Sequence, residues 1–364
     1  MTPQALLPLD LNGKDRLTKL LLRLYHVRRR FSPCVTLRVM GMSPQLEALY
    51  EPVLPQLNEV RDMVRAFWAD ALQLVHGPEL DSPDVTGKML RPALCLLSAG
   101  ALGGRDVNRF SAMAAAFEIL HLAALTHDDV IDSAHLRRGA TSLNVLWDDH
   151  AAVLGGDYLV ARATLLLAAY NSCPLIANVV ESVCQMAEGE LRSLTWNPRT
   201  VTREDCVRLA EQKTASLFAS TCTGPTFVLD TAHREALHRY GMGFGIAFQL
   251  VDDILDLSQT EAALGKPSCG DIVEGKATLP ILFMRMALSP NELARLDQVG
   301  RSSLGDTDRE WIAAKLEQTG ARAQTEALAR QYMDEARQAL HTLPRTPHRE
   351  AMEALLEFVL VRAS

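Results

Sequence analysis

Two short aspartate-rich segments are the residues of this chain best suited to chemistry. His127-Asp128-Asp129-Val130-Ile131-Asp132 closes an Ala/Leu-rich stretch, and Gln249-Leu250-Val251-Asp252-Asp253-Ile254-Leu255-Asp256 lies within a second apolar stretch. Asp128 and Asp132 are four residues apart, as are Asp252 and Asp256, so on helices each pair shares a face at a separation of about 6 Å. Carboxylates stacked in this way repel unless a hard divalent cation joins them through its oxygen ligands. A single such cluster also occurs on solvated helix faces, and Asp148-Asp149 shows that paired aspartates arise without a third. Two copies in apolar helices, with cations nearby, point instead to a ligand rich in anionic oxygens, such as a diphosphate, bridged by magnesium.

The cations are Lys88 and Arg91 in Gly87-Lys88-Met89-Leu90-Arg91-Pro92, Arg137 and Arg138 directly after the first cluster, Lys213, Lys266 and Lys276. Lys88 and Arg91, three apart, can share a helix face and grip an anion without metal. His121, seven residues before Asp128, returns to nearly the same face and can point into the same cleft. Together the residues suggest two anion sites, one metal-bridged and one held directly by cations.

The elements that must position them are helices. From Gln45 onward apolar residues recur every three or four positions, and alternating strand patterns are absent. This predicts an all-α fold with helices over 45–77, 88–99, 107–131, 142–169, 174–193, 203–222 and 229–257, and more from 277 onward. Gly/Pro/Asp-rich breaks fall at 78–87, 100–105, 194–201 and 264–275, and 291–310 and 343–349 read as surface connections. Residues 42–364 read as one helical domain. Residues 1–41 read as a basic extension, with eight Lys or Arg against two Asp, and could also lie upstream of a true start near Met42.

With 364 residues and 48% hydrophobic content, the chain can bury a large core. Its seven cysteines show no CxxC pair, which predicts reduced thiols, mostly buried, and a cytoplasmic location. The net charge of −7, or −13 outside the basic extension, argues against nucleic acid as a partner. No apolar run is expected to cross a bilayer, although the extension could make weak peripheral contact with anionic lipid. Gly241, Gly243 and Gly245 lie in an apolar helical segment without a preceding strand, so they read as close helix packing and not as a nucleotide loop.

The ordered series GKMLRP, the Glu118–Gly139 block ending HDDVIDSAHLRRG, GDYLVARA at 156–163, KTASLF from 213, and FQLVDDILD followed by GKPSCGDIVEGKATLP strongly resembles the trans (E) polyprenyl synthase family. The resemblance implies a single-domain isoprenoid synthase fold, with antiparallel helices around a central catalytic cavity, and a homodimer. It implies a magnesium-dependent head-to-tail prenyltransferase that condenses an allylic prenyl diphosphate with isopentenyl diphosphate. Asp128, Asp132 and Asp252 would hold three magnesium ions, with Asp129, Asp253 and Asp256 behind them. Arg137, Lys213, Lys266 and Lys276 would contact the allylic diphosphate, and Lys88, Arg91, His121 and Arg138 the isopentenyl diphosphate. Thr214 and Gln249 would line the reacting centre, and Asp271 would lie near a mobile loop.

In this family the product grows beside the helix of the first cluster, which makes Ala124, Ala123, Leu120 and Phe117 candidate floors. Two alanines at the first positions disfavour a C15 stop. Phe117, about three turns of 5.4 Å deeper, fits a C25–C40 product, with geranylgeranyl diphosphate as the alternative. Rival readings are a terpene cyclase, which would not need the Lys88/Arg91/His121/Arg138 set, a head-to-head synthase, and a noncatalytic subunit of a mixed synthase, in which the clusters would be eroded.

Overall fold

The computed structural model describes residues 43–76, 85–104, 106–132, 136–137, 140–141, 143–146, 148–197, 199–229, 232–259, 268–299 and 304–361. The basic extension, Arg138 and Lys266 lie outside them.

Helices make up nearly all of it. In chain order they are α1 (Pro44–Leu49), α2 (Leu54–His76), α3 (Leu90–Ala101), α4 (Ser111–Ile131), α5 (Leu143–Leu146), α6 (Asp149–Ala168), α7 (Cys173–Ser193) and α8 (Arg203–Ala210). A π-helical turn, Glu211–Ala215, joins α8 to α9 (Ser216–Thr223). Next come α10 (Thr226–Leu229), α11 (Arg234–Ser258), α12 (Gly270–Val273), α13 (Leu279–Ala287), α14 (Pro290–Val299), α15 (Asp306–Gln318), α16 (Ala321–Leu340) and α17 (Pro347–Val361). Among the described residues the one departure is a short antiparallel ladder, β1 (Leu136–Arg137) with β2 (Ala140–Thr141). The architecture is thus the single-domain all-α bundle expected.

The differences from the predicted ranges have physical causes. The expected 45–77 helix is broken by a 3-10 turn at Glu51–Val53, where prolines 52 and 55 remove backbone donors. The expected 142–169 helix divides where the Asp148 side chain accepts from the Ala151 amide and starts α6 afresh. The 291–310 stretch is mostly helical because Leu296 and Val299 bury their side chains in a small second core with Ile312 and Leu316. Tertiary burial there outweighs a polar local composition.

The main core is built around α4 and α11. Every residue of α4 from Ser111 to Leu120 is buried, and α11 buries both its glycine face and its Phe244 face. Gly241 and Gly245 face α9 and the π turn: a Cβ on Gly241 would stand 2.5 Å from the Ala219 Cα, and one on Gly245 2.4 Å from the Ala215 Cα. On the other side, a Cβ on Gly243 would meet the Tyr332 carbonyl of α16 at 2.6 Å. These glycines permit close helix approach, as their apolar surroundings suggested.

Two helical stretches, Val107–Ile131 and Asp149–Ala168, are long and apolar enough to cross a membrane, which corrects the expectation that no run is. The first of these is the core helix α4 with the turn before it, largely buried inside the protein.

Candidate active site

Burial sorts the first cluster by helical position. Asp128, in the last turn of α4, and Asp132, its C-cap, remain partly open, whereas Asp129 turns inward and is buried. The Asn144 side chain donates to the Asp129 main-chain carbonyl at 3.1 Å, tying α5 to the end of α4. In the second cluster Asp252 is half-buried, and Asp253 and Asp256 are buried.

The π turn joins the two clusters. Lys213 Nζ lies 3.6 Å from Asp128 Oδ2. The next residue, Thr214, donates its hydroxyl to Gln249 Oε1 at 2.6 Å, and Gln249 Nε2 donates to Asp253 Oδ1 at 2.7 Å. Two consecutive side chains therefore reach opposite acidic helices, which an insertion in the helical repeat permits and which π turns often accomplish at functional sites. A second link runs from the segment after α12, where Lys276 Nζ donates to Asp132 Oδ1 at 3.0 Å. The Asp271 amide donates to Asp256 Oδ2 at 3.1 Å, placing this segment against α11.

Sequence reasoning missed two carboxylates. Glu190 of α7 accepts from Lys213 Nζ at 2.5 Å, and Glu274 accepts from Lys276 Nζ at 2.5 Å. Each lysine is thus held between an aspartate of the first cluster and a glutamate outside it. The signal available was weak, since Glu190 sits in Glu188-Gly189-Glu190 without a paired pattern. Gly189 matters to the arrangement because a Cβ there would stand 3.0 Å from the Gln212 Cβ, so α7 packs directly against the π turn.

The electrostatics are those of a site short of positive charge. Burial raises the Asp128 pKa, and the opposing pull of Lys213 does not cancel burial plus the nearby Glu190 and Asp132 charges. Lys213 also shifts up: burial would lower it, but Asp128 and Glu190 outweigh that. Asp253 is pushed well above the carboxylate range by burial and then by the charge of Asp271. Each carboxylate group favours added cations.

Among the described residues no three His, Cys, Asp or Glu side chains converge tightly enough to hold a metal by themselves. The donors nonetheless fit magnesium. They are all carboxylate oxygens, partly open, and magnesium commonly takes one or two carboxylates and completes its shell with phosphate oxygens and water.

The proposed second anion site differs from its sequence expectation. Lys88 and Arg91 do not share a helix face, because α3 begins only at Leu90 and Met89 adopts a left-handed conformation before it. Lys88 is exposed, while Arg91 is buried with its guanidinium 4.2 Å from the Phe218 ring centre. His121 is half-buried on α4, one helical face with Asp128. Arg137 lies in β1, and Arg138 and Lys266 lie outside the described residues.

Of the candidate floor residues, Phe117, Leu120 and Ala123 are buried and Ala124 is half-buried. Phe117 packs on the C-cap of α9: a Cβ on Gly224 would lie 3.1 Å from Phe117 Cε2 and 3.0 Å from Met113 Sδ.

A family model described as polyprenyl synthetase matches residues 79–313, which include both clusters and every cation discussed above. The chain belongs to the polyprenyl synthetase family. It is 35% identical to the all-trans-nonaprenyl-diphosphate synthase (geranyl-diphosphate specific) of Rhodobacter capsulatus, over 76% of this chain and 85% of that protein. It is 34% identical to the short chain isoprenyl diphosphate synthase of Methanothermobacter thermautotrophicus, over 76% of this chain and 86% of that protein. Among solved structures, the polyprenyl synthase from Caulobacter crescentus complexed with calcium and isoprenyl diphosphate superposes with a TM-score of 0.78 at 30% identity, covering 90% of this chain and all of that one. This polyprenyl synthetase is accordingly an enzyme, a magnesium-dependent head-to-tail trans-prenyltransferase.

Proposed function

We propose that this synthetase extends an allylic prenyl diphosphate with isopentenyl diphosphate to a product of C25–C40. The observation that carries the reading is the π turn, whose Lys213 and Thr214 connect the first aspartate cluster to the Gln249–Asp253 end of the second.

In this reading Asp128, Asp132 and Asp252 hold the magnesium ions, three per site, with Asp129, Asp253 and Asp256 supporting them. When bound, the ions supply positive charge against the leaving diphosphate. Lys213 and Lys276, with Arg137 and Lys266, bind the allylic diphosphate oxygens and stabilise their charge as the allylic C–O bond breaks. The electron pair leaves with diphosphate. The double bond of isopentenyl diphosphate, held by Lys88, Arg91, His121 and Arg138, attacks the allylic cation. Loss of a proton from the new cation, accepted by the departing diphosphate, restores the double bond. The Thr214 hydroxyl and the Gln249 amide line the reacting carbons and exclude water.

Chain length rests on the wall of α4. Ala123 and Ala124 leave room for a growing tail, and Phe117, pressed against Gly224, supplies a floor further down. Geranylgeranyl diphosphate remains the second reading, because the short chain relative shares the same level of identity as the nonaprenyl one.

A homodimer is supported by exposed apolar side chains on two successive helices, Val153, Leu154 and Leu165 on α6 and Val180 and Leu191 on α7. A cytoplasmic location, with weak lipid contact by residues 1–41, belongs to the same reading. It is supported by the six described cysteines, all free.

The test is chain-length analysis of products formed from isopentenyl and farnesyl diphosphates with magnesium, on protein whose mass is measured by light scattering. A ladder ending at C25–C40 from a dimer is expected. A sharp C20 product would move the floor above Phe117, a monomer mass would remove the homodimer, and no elongation by either farnesyl or geranylgeranyl primer would point to a missing subunit.

A further inference from the structure

Tyr50 lies between α1 and the 3-10 turn, outside the segment that the family model matches. Its side chain is fully buried, and its hydroxyl donates to the main-chain carbonyl of Lys88 at 3.0 Å. A phenol hydroxyl buried without a partner would cost free energy, so this contact is constrained from both ends.

The carbonyl it holds belongs to a strained piece of chain. Gly87 has φ +45° and Met89 φ +53°, the second a left-handed conformation in a non-glycine residue that is itself buried. Such a conformation is strained in a residue with a Cβ and persists only where its surroundings fix it. The Met89 carbonyl then accepts the Ala93 amide at 3.0 Å and opens α3. Lys88 is therefore aimed by a turn, not by a helix. Arg91 has an independent anchor in its stacking on Phe218.

Tyr50 also faces α4. Glu118, buried three residues before His121, adds to burial in pushing the Tyr50 hydroxyl pKa up. The tyrosine thus stands where the Lys88 turn meets the helix that carries His121.

We propose that Tyr50 is a positioning residue for isopentenyl diphosphate, fixing through the Lys88 carbonyl the left-handed turn that directs the Lys88 ammonium to the diphosphate. This rests on the assignment of Lys88 to that substrate, made above. The hydroxyl touches no reacting atom, so its removal changes one substrate's binding and leaves the chemical step alone.

The experiment is initial-rate kinetics on Tyr50→Phe, varying each substrate in turn, beside Lys88→Ala and with thermal unfolding of both. Tyr50→Phe is expected to raise the KM for isopentenyl diphosphate about fivefold, the scale of one hydrogen bond, with kcat and the allylic KM within twofold of wild type. Lys88→Ala should raise the same KM further, and adding Tyr50→Phe to it should have no further effect. An unchanged isopentenyl KM in Tyr50→Phe, with Lys88→Ala raising it, overturns the positioning role alone. Equal rises in both KM values with a lowered Tm also overturn it, since that marks a packing role. If Lys88→Ala leaves the isopentenyl KM unchanged, the substrate assignment falls and the proposal with it.

Discussion

Asp128 meets two opposing demands. In its proposed role as a magnesium ligand it must be charged, yet burial and the nearby Glu190 and Asp132 raise its pKa. That tension is relieved by bound positive charge, which is what a ligand for magnesium diphosphate requires. On the proposed role, Asp128→Ala removes a contact that strengthens as diphosphate departs. We expect kcat to fall by about 10² to 10³, or roughly 3–4 kcal/mol, by comparison with loss of one oxyanion donor. Steady-state assay at saturating magnesium, with circular dichroism to confirm folding, measures this; a folded variant of wild-type turnover would end the assignment. At this scale the aspartates were legible from spacing because a four-residue period is a property of the helix alone. Glu190 and Glu274 were not, because what marks them is their 2.5 Å approach to Lys213 and Lys276 from other elements.

At the scale of elements, the contact between α11 and the π turn does the positioning. Gly245 lets the Ala215 backbone approach so closely that an added methyl would stand 2.4 Å from its Cα and 2.8 Å from its Cβ. Backbone cannot yield as a flexible side chain can. Gly245→Ala should therefore cost about 1–3 kcal/mol of stability, the usual cost of overpacking. It should also displace Lys213 and Thr214 and lower kcat by about 10-fold or more, since small misplacements of positioning groups are costly. Urea unfolding and kcat together check this; a drop in stability with unchanged kcat would mean that the π turn does not set the site. The sequence announced a helix here and gave a reason for its glycines. It did not announce the π insertion, which depends on how α7, α9 and α11 meet.

Across the whole molecule, the segment beyond α13 is secured partly by one acid. Asp297 of α14 accepts from Arg285 of α13 at 2.6 Å and from Arg199 of the α7–α8 connection at 3.0 Å. The Arg285 hydrogen bond, aided by Arg199, holds its carboxyl below the usual range. A depressed folded value means that this stability is present above the unfolded pKa of 3.8 and is lost as pH falls through the folded value. Asp297→Asn should thus lower stability at pH 7 by about 1 kcal/mol, modest because the pair is partly exposed. The difference from wild type should shrink below about pH 4. Denaturant midpoints at pH 7 and pH 3 measure it, and a gap that stays constant would show that charge is not the cause.

What the sequence determined by itself was the helical class and the placing of acidic side chains on helix faces, since both follow from periods of three to four residues and from residue type. It also carried the family resemblance, because the motifs are contiguous. The tertiary structure decided the rest. It made 291–299 helical by burying Leu296 and Val299, and placed Lys88 on a left-handed turn instead of a helix face. Each outcome turns on contacts between residues far apart in the chain, such as the bond from Tyr50 to Lys88, which no local spacing encodes.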